Sequence, residues 1–380
     1  MSKKRIGFIL GISILLLLTI AGCGSDEESS GTDETNETEA NEESNSESEN
    51  NSETGEFTEV DSSEVEGEFD GGHFFISDDG EVLNWGEKDE RIGDPTRMKV
   101  WVEGETEEVD PELASDKSSY LHSQGNVFGI VTDHDKDPEE ETLNNYNPRT
   151  GDTEEYVKPA EVEEFLFVGP HFVNDKEGII LSKKDYTDGE IIINAWNYGN
   201  DTVDTYNVTE GVYDLIPEID SPQNGAITIS PDGKSFYLSY TEGIVQYDIE
   251  TDEVNEISVG EELDREVNVT ADNQYAITRK FVENPDYYSY SITDVDSFEQ
   301  TEIGEGNQAF PLSDGRIVIQ KDMELNVYDP VADESSSFYT IELGEETRLR
   351  SVQVSGDGNT IAYGYEDENE DKITIKIIRR

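Results

Sequence analysis

Cysteine and basic residues are both scarce in this chain of 380 residues. Cys23 is the only cysteine, so the chain cannot form an intramolecular disulfide. Lys and Arg number 26 against 90 Asp and Glu, which gives a formal net charge of −64. Such an acidic surface repels nucleic acid and anionic lipid headgroups, so we do not expect nucleic-acid binding. Solubility in high salt, attraction of cations and repulsion within a polyanionic wall are three uses that the charge could have.

Recognisable catalytic motifs are also missing from the sequence. There is no Gly-x-Ser-x-Gly elbow and no phosphate-binding loop. The histidines show no paired ligand spacing, and without further cysteines no zinc site can be argued. Active-site residues that converge from distant parts of a chain leave no linear pattern, so catalysis stays an alternative that the sequence disfavours. The four histidines are His73, His122, His134 and His171.

The first 23 residues have the three parts of an export signal. Lys3, Lys4 and Arg5 precede an apolar run at 6–20, which is short for a comfortable membrane span. The run ends at Ile20-Ala21-Gly22-Cys23, which resembles the lipobox of bacterial lipoproteins. That resemblance implies that residues 1–22 are a signal peptide and that Cys23 is lipidated and becomes the new N-terminus. The expected location is the extracytoplasmic face of the cell membrane, with the lipid as anchor.

Residues 23–55 predict a disordered acidic linker after the signal. They consist mainly of Ser, Glu, Asp, Asn, Thr and Gly, and no basic residue occurs between Arg5 and Lys88. A segment with so little apolar surface cannot bury a core. We expect it to act as a tether with a random-coil span of about 30 Å. The folded domain is then predicted to cover residues 56–380.

Residues 226–260 read as four short strands joined by tight turns. Apolar residues alternate with polar ones throughout, which is the period of a strand. Between the first two strands, Ser230-Pro231-Asp232-Gly233 fits a type I turn, because Pro fixes φ at the second position and Gly takes the fourth. Such a four-stranded unit cannot bury both of its faces alone, so a stable fold requires further copies of it beside the first.

Copies of this unit recur along the rest of the chain. The turn between the first and second strands appears seven times and the turn after the third strand six times, in alternation. Self-similarity of this kind, with four strands per unit, predicts an all-β seven-bladed β-propeller, with six or eight blades as alternatives. The last unit lacks its outer strand, and we expect residues 56–68 to supply it beside 372–378, which would close the ring. The first-turn signals are 78–80, 124–126, 174–178, 231–233, 271–273, 313–315 and 357–359; the third-strand signals are 101–104, 146–151, 196–199, 247–251, 293–296 and 328–331.

The best-formed unit also resembles a known family. Ile229-Ser230-Pro231-Asp232-Gly233-Lys234 and, beyond it, Tyr247-Asp248-Ile249-Glu250-Thr251 are similar to the bacterial propeller repeats of the TolB-like and YVTN-like kind, relatives of WD repeats. The match is close in this unit and degenerate in the other six, and no Trp-Asp dipeptide occurs. The resemblance implies a propeller fold but little about activity, since that family includes scaffolds, binding proteins and domains appended to enzymes.

Long loops are predicted on one face of the propeller, where the second-to-third-strand loops and the inter-blade segments meet. Function on a rigid frame usually lies on such loops. One of them carries Arg279, Lys280, Phe281, Tyr287 and Tyr288, and another carries Lys183, Lys184 and Tyr186. Exposed aromatic and basic residues suit a peptide or glycan ligand; alternatively, the tyrosines pack on their own blade and the basic groups pair with carboxylates. The predicted segments are 87–96, 133–141, 183–190, 280–289 and 365–372, plus the inter-blade segment 214–225.

Asp133, Asp135 and Asp137 alternate as they would in a calcium-binding loop. An EF-hand would require Gly at 138 and Glu at 144, where this chain has Pro138 and Asn144, so that motif is excluded. A weak divalent cation site, for calcium, is one hypothesis for these carboxylates, and a solvated acidic loop is the other. No other cofactor is predicted.

The sequence therefore favours a monomeric, lipid-anchored propeller without enzyme activity. Its expected partners are the membrane, through Cys23, and an envelope protein, peptide or glycan on the long-loop face. Two alternatives stay open. One is a hydrolase, lyase or cyclase that acts in the central channel, and the other is a passive spacer at the cell surface.

Overall fold

The computed structural model describes most of the chain from Glu56 to Arg380. Among the residues described, no helix is long and apolar enough to cross a membrane. The signal segment, Cys23 and the linker lie outside the described residues, so those predictions are not tested. The described residues are 56–64, 68–88, 97–109, 119–121, 124–133, 140–160, 162, 171–173, 177–183, 189–219, 225–259, 263–282, 287–367 and 372–380.

Across these residues the chain forms seven four-stranded antiparallel sheets, which are the blades of the predicted propeller. The chain enters at β1 (Thr58–Glu64). Blade 1 is β2 (Glu68–Ile76), β3 (Val82–Lys88), β4 (Arg97–Val102) and β5 (Glu105–Glu108); blade 2 is β6 (Ser119–Leu121), β7 (Val127–Asp133), β8 (Glu140–Asn147) and β9 (Asp152–Val157); blade 3 is β10 (His171–Val173), β11 (Glu177–Lys183), β12 (Ile192–Asn197) and β13 (Thr202–Asn207).

A short helix, α1 (Thr209–Leu215), follows blade 3 and precedes the best-formed unit. The first three strands of blade 7 come from the C-terminal end of the chain, and β1 completes this blade. Blade 4 is β14 (Ala226–Ile229), β15 (Ser235–Ser239), β16 (Gly243–Asp248) and β17 (Glu253–Val259); blade 5 is β18 (Leu263–Val269), β19 (Tyr275–Val282), β20 (Tyr287–Asp294) and β21 (Gln300–Gly306); blade 6 is β22 (Gln308–Pro311), β23 (Ile317–Lys321), β24 (Glu324–Asp329) and β25 (Glu334–Thr340); blade 7 is β26 (Thr347–Val354), β27 (Thr360–Asp367), β28 (Lys372–Arg379) and β1.

Where the structure describes them, the tight turns of the blades lie at the positions that the sequence predicts. At Ser230–Gly233 the amide of Gly233 donates to the Ser230 carbonyl at 2.8 Å, and Gly233 has φ +73°, a conformation that favours glycine. Both sets of tight turns lie on one side of the propeller, which we call the short-turn face. The opposite side is the long-loop face.

Seven apolar clusters hold the blades together, one at each interface between neighbouring blades. The alternation within β15 shows how one strand serves two interfaces. Phe236 and Leu238 pack with residues of blade 3, whereas Tyr237 packs with Val267 and Ala276 of blade 5. Side chains on a strand point to opposite faces in turn, so a central strand is buried on both sides. This explains why every residue of β15 is buried.

The predicted closure of the ring is confirmed. β1 pairs antiparallel with β28, from Thr58 opposite Arg379 to Glu64 opposite Thr374. The Arg380 guanidinium lies 5.2 Å from the Phe57 ring centroid and 5.1 Å from that of Phe338, distances at which a cation is attracted to an aromatic ring. The beginning of the described region and its C-terminal strand are thereby both fixed in blade 7.

Two of the predicted loops are shorter than expected, and one segment contains a helix. β19 runs to Val282 and β20 begins at Tyr287, so most of 280–289 is strand rather than loop. β27 likewise runs to Asp367, so the first three residues of the predicted loop 365–372 are strand. The sequence does not predict α1, which begins before 214–225 and packs by its buried Val212 into the cluster between blades 3 and 4.

Candidate functional site

The hairpins that face the long-loop side differ in height. The second strand of each of blades 4 to 7 begins two residues after the positive-φ residue of its turn. From that common start, β15 and β23 have five residues, whereas β19 and β27 have eight. Three additional residues extend a strand by about 10 Å. Blade 6 is therefore a low blade between the tall hairpins of blades 5 and 7.

A groove of about 620 Å³ lies at this low point, between blade 6 and the first strand of blade 7. We call it the blade-6 notch. Its volume is within the range of small-ligand sites, about 300–1,000 Å³. Its lining residues are mostly amides, hydroxyls and charged groups. They are Asn307, Gln308, Gln320, Asp322 and Met323 from blade 6, and Thr347, Arg348, Leu349, Arg350 and Ser351 from β26.

The floor of the notch is held by hydrogen bonds within blade 6. The Asp322 amide donates to Asn307 Oδ1 at 2.8 Å, and Gln320 Nε2 donates to the Asp322 carbonyl at 2.8 Å. Gly306 lies against the Gln320 carbonyl so closely that a Cβ atom would collide with it. These contacts fix the positions of the polar groups in the floor, and such pre-organisation lowers the free-energy cost of binding a ligand.

The tall hairpin of blade 5 is linked to the notch through Tyr287. Its hydroxyl donates to Asp322 Oδ2 at 2.6 Å, and Lys321 Nζ lies 4.8 Å from the centre of its ring. The hydrogen bond to Asp322 raises the pKa of Tyr287 above its ordinary value of 10.0, because loss of the proton would place two negative charges side by side. Tyr287 therefore acts as a neutral donor that holds the Asp322 carboxylate.

The opposite wall of the notch carries two arginines of β26. The Arg350 guanidinium forms an ion pair with Glu366 of β27. Arg348 is exposed, and its cross-strand neighbour is the same Glu366. Within the part of the chain that the structure describes, no residue forms a hydrogen bond or ion pair with the Arg348 guanidinium. The Arg348 guanidinium therefore keeps its hydrogen-bond donors available to a ligand at this wall of the notch.

The other predicted residues of blade 5 lie in the tall hairpin, not on a flexible loop. Phe281 is opposite Tyr288 in the register of β19 and β20, and the Arg279 guanidinium lies 4.2 Å from the Tyr288 ring centroid. The Phe281 and Tyr288 rings meet edge to face at 5.8 Å. Phe281 is still 43% exposed, and Lys280 is exposed. Part of the predicted contact surface therefore packs on its own blade.

The remaining predicted site residues lie in other blades or outside the described residues. Lys183 ends β11 of blade 3, and Asp133 ends β7 of blade 2, so neither belongs to the hairpin of blade 5. Among the described residues, no group of three or more His, Cys, Asp or Glu could hold a metal ion. The site assignments on these residues stay predictions. Lys184, Tyr186, Asp135, Asp137 and Cys23 lie outside the described residues.

The sequence analysis does not predict the blade-6 notch. The groove arises because β23 is shorter than β19 and β27, and strand lengths in three different repeats must be compared to see this. One signal was available. Arg348-Leu349-Arg350 places two of the scarce basic residues at the beginning of the seventh unit.

The fold defines the protein as a seven-bladed β-propeller whose last blade combines both ends of the folded unit. No protein-family model matches the chain, and no curated protein matches it in sequence. Many solved structures are similar to it, and three of them are described here. An oligogalacturonate lyase in complex with manganese has a TM-score of 0.53 at 10% identity, over 85% of this chain and 93% of that chain.

The β-propeller domain of the Trilobed protease from Pyrococcus furiosus has a TM-score of 0.51 at 10% identity, over 84% of this chain and 94% of that one. TolB from Acinetobacter baumannii has a TM-score of 0.38 at 13% identity, over 79% and 82%. At sequence identities this low, the similarity shows a shared fold only and says nothing about the activity of this protein. The function must therefore be argued from the site.

Proposed function

We propose that this protein is a ligand-binding propeller without enzyme activity, held at the outer face of a cell membrane by lipid on Cys23. Its ligand is an envelope protein, peptide or glycan, and it binds as a monomer on the long-loop face. The observation that carries the binding role is the blade-6 notch, a pre-organised polar groove between two tall hairpins. Concave sites with convergent polar groups are the usual ligand sites of proteins.

The attachment point of the linker supports the choice of face. β1 begins beside Arg379, at the end of blade 7 where the tight turn before Thr360 lies. The described chain therefore enters β1 on the short-turn face, and the notch opens on the opposite face. This placement leaves the notch accessible to molecules that approach from outside the membrane.

Matched pairs of substitutions on the two faces test the proposal in the full-length protein. Lys280→Gln with Phe281→Ser alters the hairpin of blade 5. Lys234→Gln with Val331→Ser likewise neutralises one lysine and replaces one apolar residue by serine, on the short-turn face. All four residues are exposed, with Val331 at 87%, so both variants should keep the melting temperature. We expect the first pair to weaken capture of a ligand from envelope extracts and the second pair to leave it unchanged.

Three other outcomes would count against this proposal. Equal capture by both variants would exclude the hairpin of blade 5 from the binding surface. If the unaltered protein retains nothing, the passive spacer becomes the better explanation. Turnover of a wall glycan or peptide by the purified protein would instead favour an enzyme that acts in the channel.

A further inference from the structure

The charges in the blade-6 notch leave one cation available to a ligand. Arg350 is paired with Glu366, and Lys321 is paired with Glu305 at 3.1 Å. The Asp322 carboxylate accepts a hydrogen bond from Tyr287. Arg348 is thus the exposed guanidinium in this groove that forms no ion pair or hydrogen bond with the described residues, since its cross-strand neighbour Glu366 pairs with Arg350. A guanidinium has a fork of donors that matches the two oxygens of a carboxylate.

The other lining groups suit a sugar better than a peptide. Peptide and protein partners usually insert an aromatic or aliphatic anchor into a well-packed apolar pocket. The notch offers only Met323 and Leu349 as apolar residues, and Met323 is 45% exposed. Gln308 and Ser351 instead contribute an amide and a hydroxyl, each of which can both donate and accept hydrogen bonds. Sugar hydroxyl groups need partners of this kind.

The charge of the whole protein limits the length of an anionic ligand. A net charge of −64 repels a long polyanion, although salt screens charges beyond about 8 Å at physiological ionic strength. A short chain that keeps its carboxylate near Arg348 avoids most of this repulsion. A volume of about 620 Å³ also fits a ligand of a few sugar units better than a polymer.

We infer that the blade-6 notch binds a short oligosaccharide that carries a carboxylate group. Arg348 binds the carboxylate, and Gln308 and Ser351 bind ring hydroxyls. This inference rests on the proposed binding role of the long-loop face and specifies the class of ligand. It involves no chemical step, since the ligand is bound and released unchanged.

Calorimetric titration of the full-length protein with two probes tests the inference. One probe is a trisaccharide of uronic acid residues, and the other is its methyl ester, which keeps the hydroxyls but removes the charge. We expect the acid form to bind and the ester to bind at least about tenfold more weakly, the loss expected for one charge-assisted hydrogen bond. Arg348→Gln should weaken binding of the acid form by a similar factor and remove the difference between the probes.

Arg316→Gln is the matched control, because it removes the same charge on the short-turn face, where Arg316 pairs with Asp314. It should bind both probes as the unaltered protein does. The inference is overturned if the unaltered protein binds neither probe, binds both equally, or binds the acid form equally well after Arg348→Gln. If the hairpin variant still loses envelope capture in that case, the binding role stands and only the ligand class is wrong.

Discussion

Ser230→Ala should destabilise the propeller by about 2 kcal/mol, because the Ser230 hydroxyl completes the turn of blade 4. The side chain is 3% exposed. Its Oγ donates to Asp232 at 2.7 Å and accepts from the amides of Lys234 at 3.1 Å and Ser235 at 3.0 Å. Ser77, Thr270 and Ser355 make two of these contacts in three other blades, donating to the Asp two residues on and accepting from the amide five residues on.

The magnitude follows from what the substitution leaves without a partner. The Lys234 amide keeps a second acceptor, Asp232 Oδ1 at 3.1 Å, so it loses little. The buried Ser235 amide loses the hydroxyl that accepts its proton, and a buried donor without an acceptor costs about 1–3 kcal/mol. Since Ser and Ala differ only by the oxygen, no large cavity adds to this loss. Native proteins usually have a free energy of unfolding of about 5–15 kcal/mol, so a loss of about 2 kcal/mol is readily measurable.

Urea unfolding of the full-length protein would measure this loss as a lower midpoint at an unchanged slope. Ser313→Ala is the control, because Ser313 is exposed in the corresponding turn of blade 6, where buried Leu312 occupies the position of Ser230. We expect the control to change the free energy of unfolding by less than about 0.5 kcal/mol. Equal midpoints for Ser230→Ala and Ser313→Ala would refute the role assigned to the hydroxyl.

Two further predictions concern acid and the membrane. The Thr251 amide donates to Asp248 at 2.7 Å and lowers the pKa of that carboxyl below its ordinary value of 3.8. The ionised Asp248 carboxylate therefore stabilises the fold above pH 3.8, and this stabilisation is lost as pH falls through the lowered pKa. Asp248→Asn should therefore lower the urea midpoint at neutral pH. Between neutral and acid pH the midpoint of the variant should fall less than that of the unaltered protein, and an equal fall in both would contradict this linkage. Cys23→Ala should release the protein from membranes or stall its processing, as judged by fractionation, and the lipid anchor is wrong if the variant fractionates as before.

The repeated turns could be predicted from sequence because their chemistry is local. Pro231, Asp232 and Gly233 each have a backbone preference that fits one turn, and the same type of residue recurs in other blades. The closing strand could be predicted because the seventh unit lacks an outer strand, and β1 fills that place.

The ends of the strands on the long-loop face could not be predicted in the same way. The sequence analysis predicts a long loop at 280–289, which includes Lys280, Phe281, Tyr287 and Tyr288. Cross-strand pairing of Phe281 with Tyr288 and of Val282 with Tyr287 extends the hairpin all the same. Such pairing depends on the partner strand rather than on local preference.

Helix α1 was missed for a related reason. Its seven residues are too few to show a helical period, and a helix of this length is marginal in isolation. It is stabilised by packing between blades 3 and 4, where Val212 is buried and Gly211 lies against Val254.

Because β1 and β28 share one sheet, assembly of the propeller depends on pairing between two segments that are far apart in the chain. The hydrogen bond from Thr58 to Arg379 spans 321 positions of the chain, so this contact forms only after all the residues between them exist. Contacts this remote in sequence slow folding. A nascent or C-terminally truncated chain would keep two unpaired strand edges, which invite aggregation. Loss of the final eight-residue strand should therefore harm solubility more than loss of eight residues from the linker.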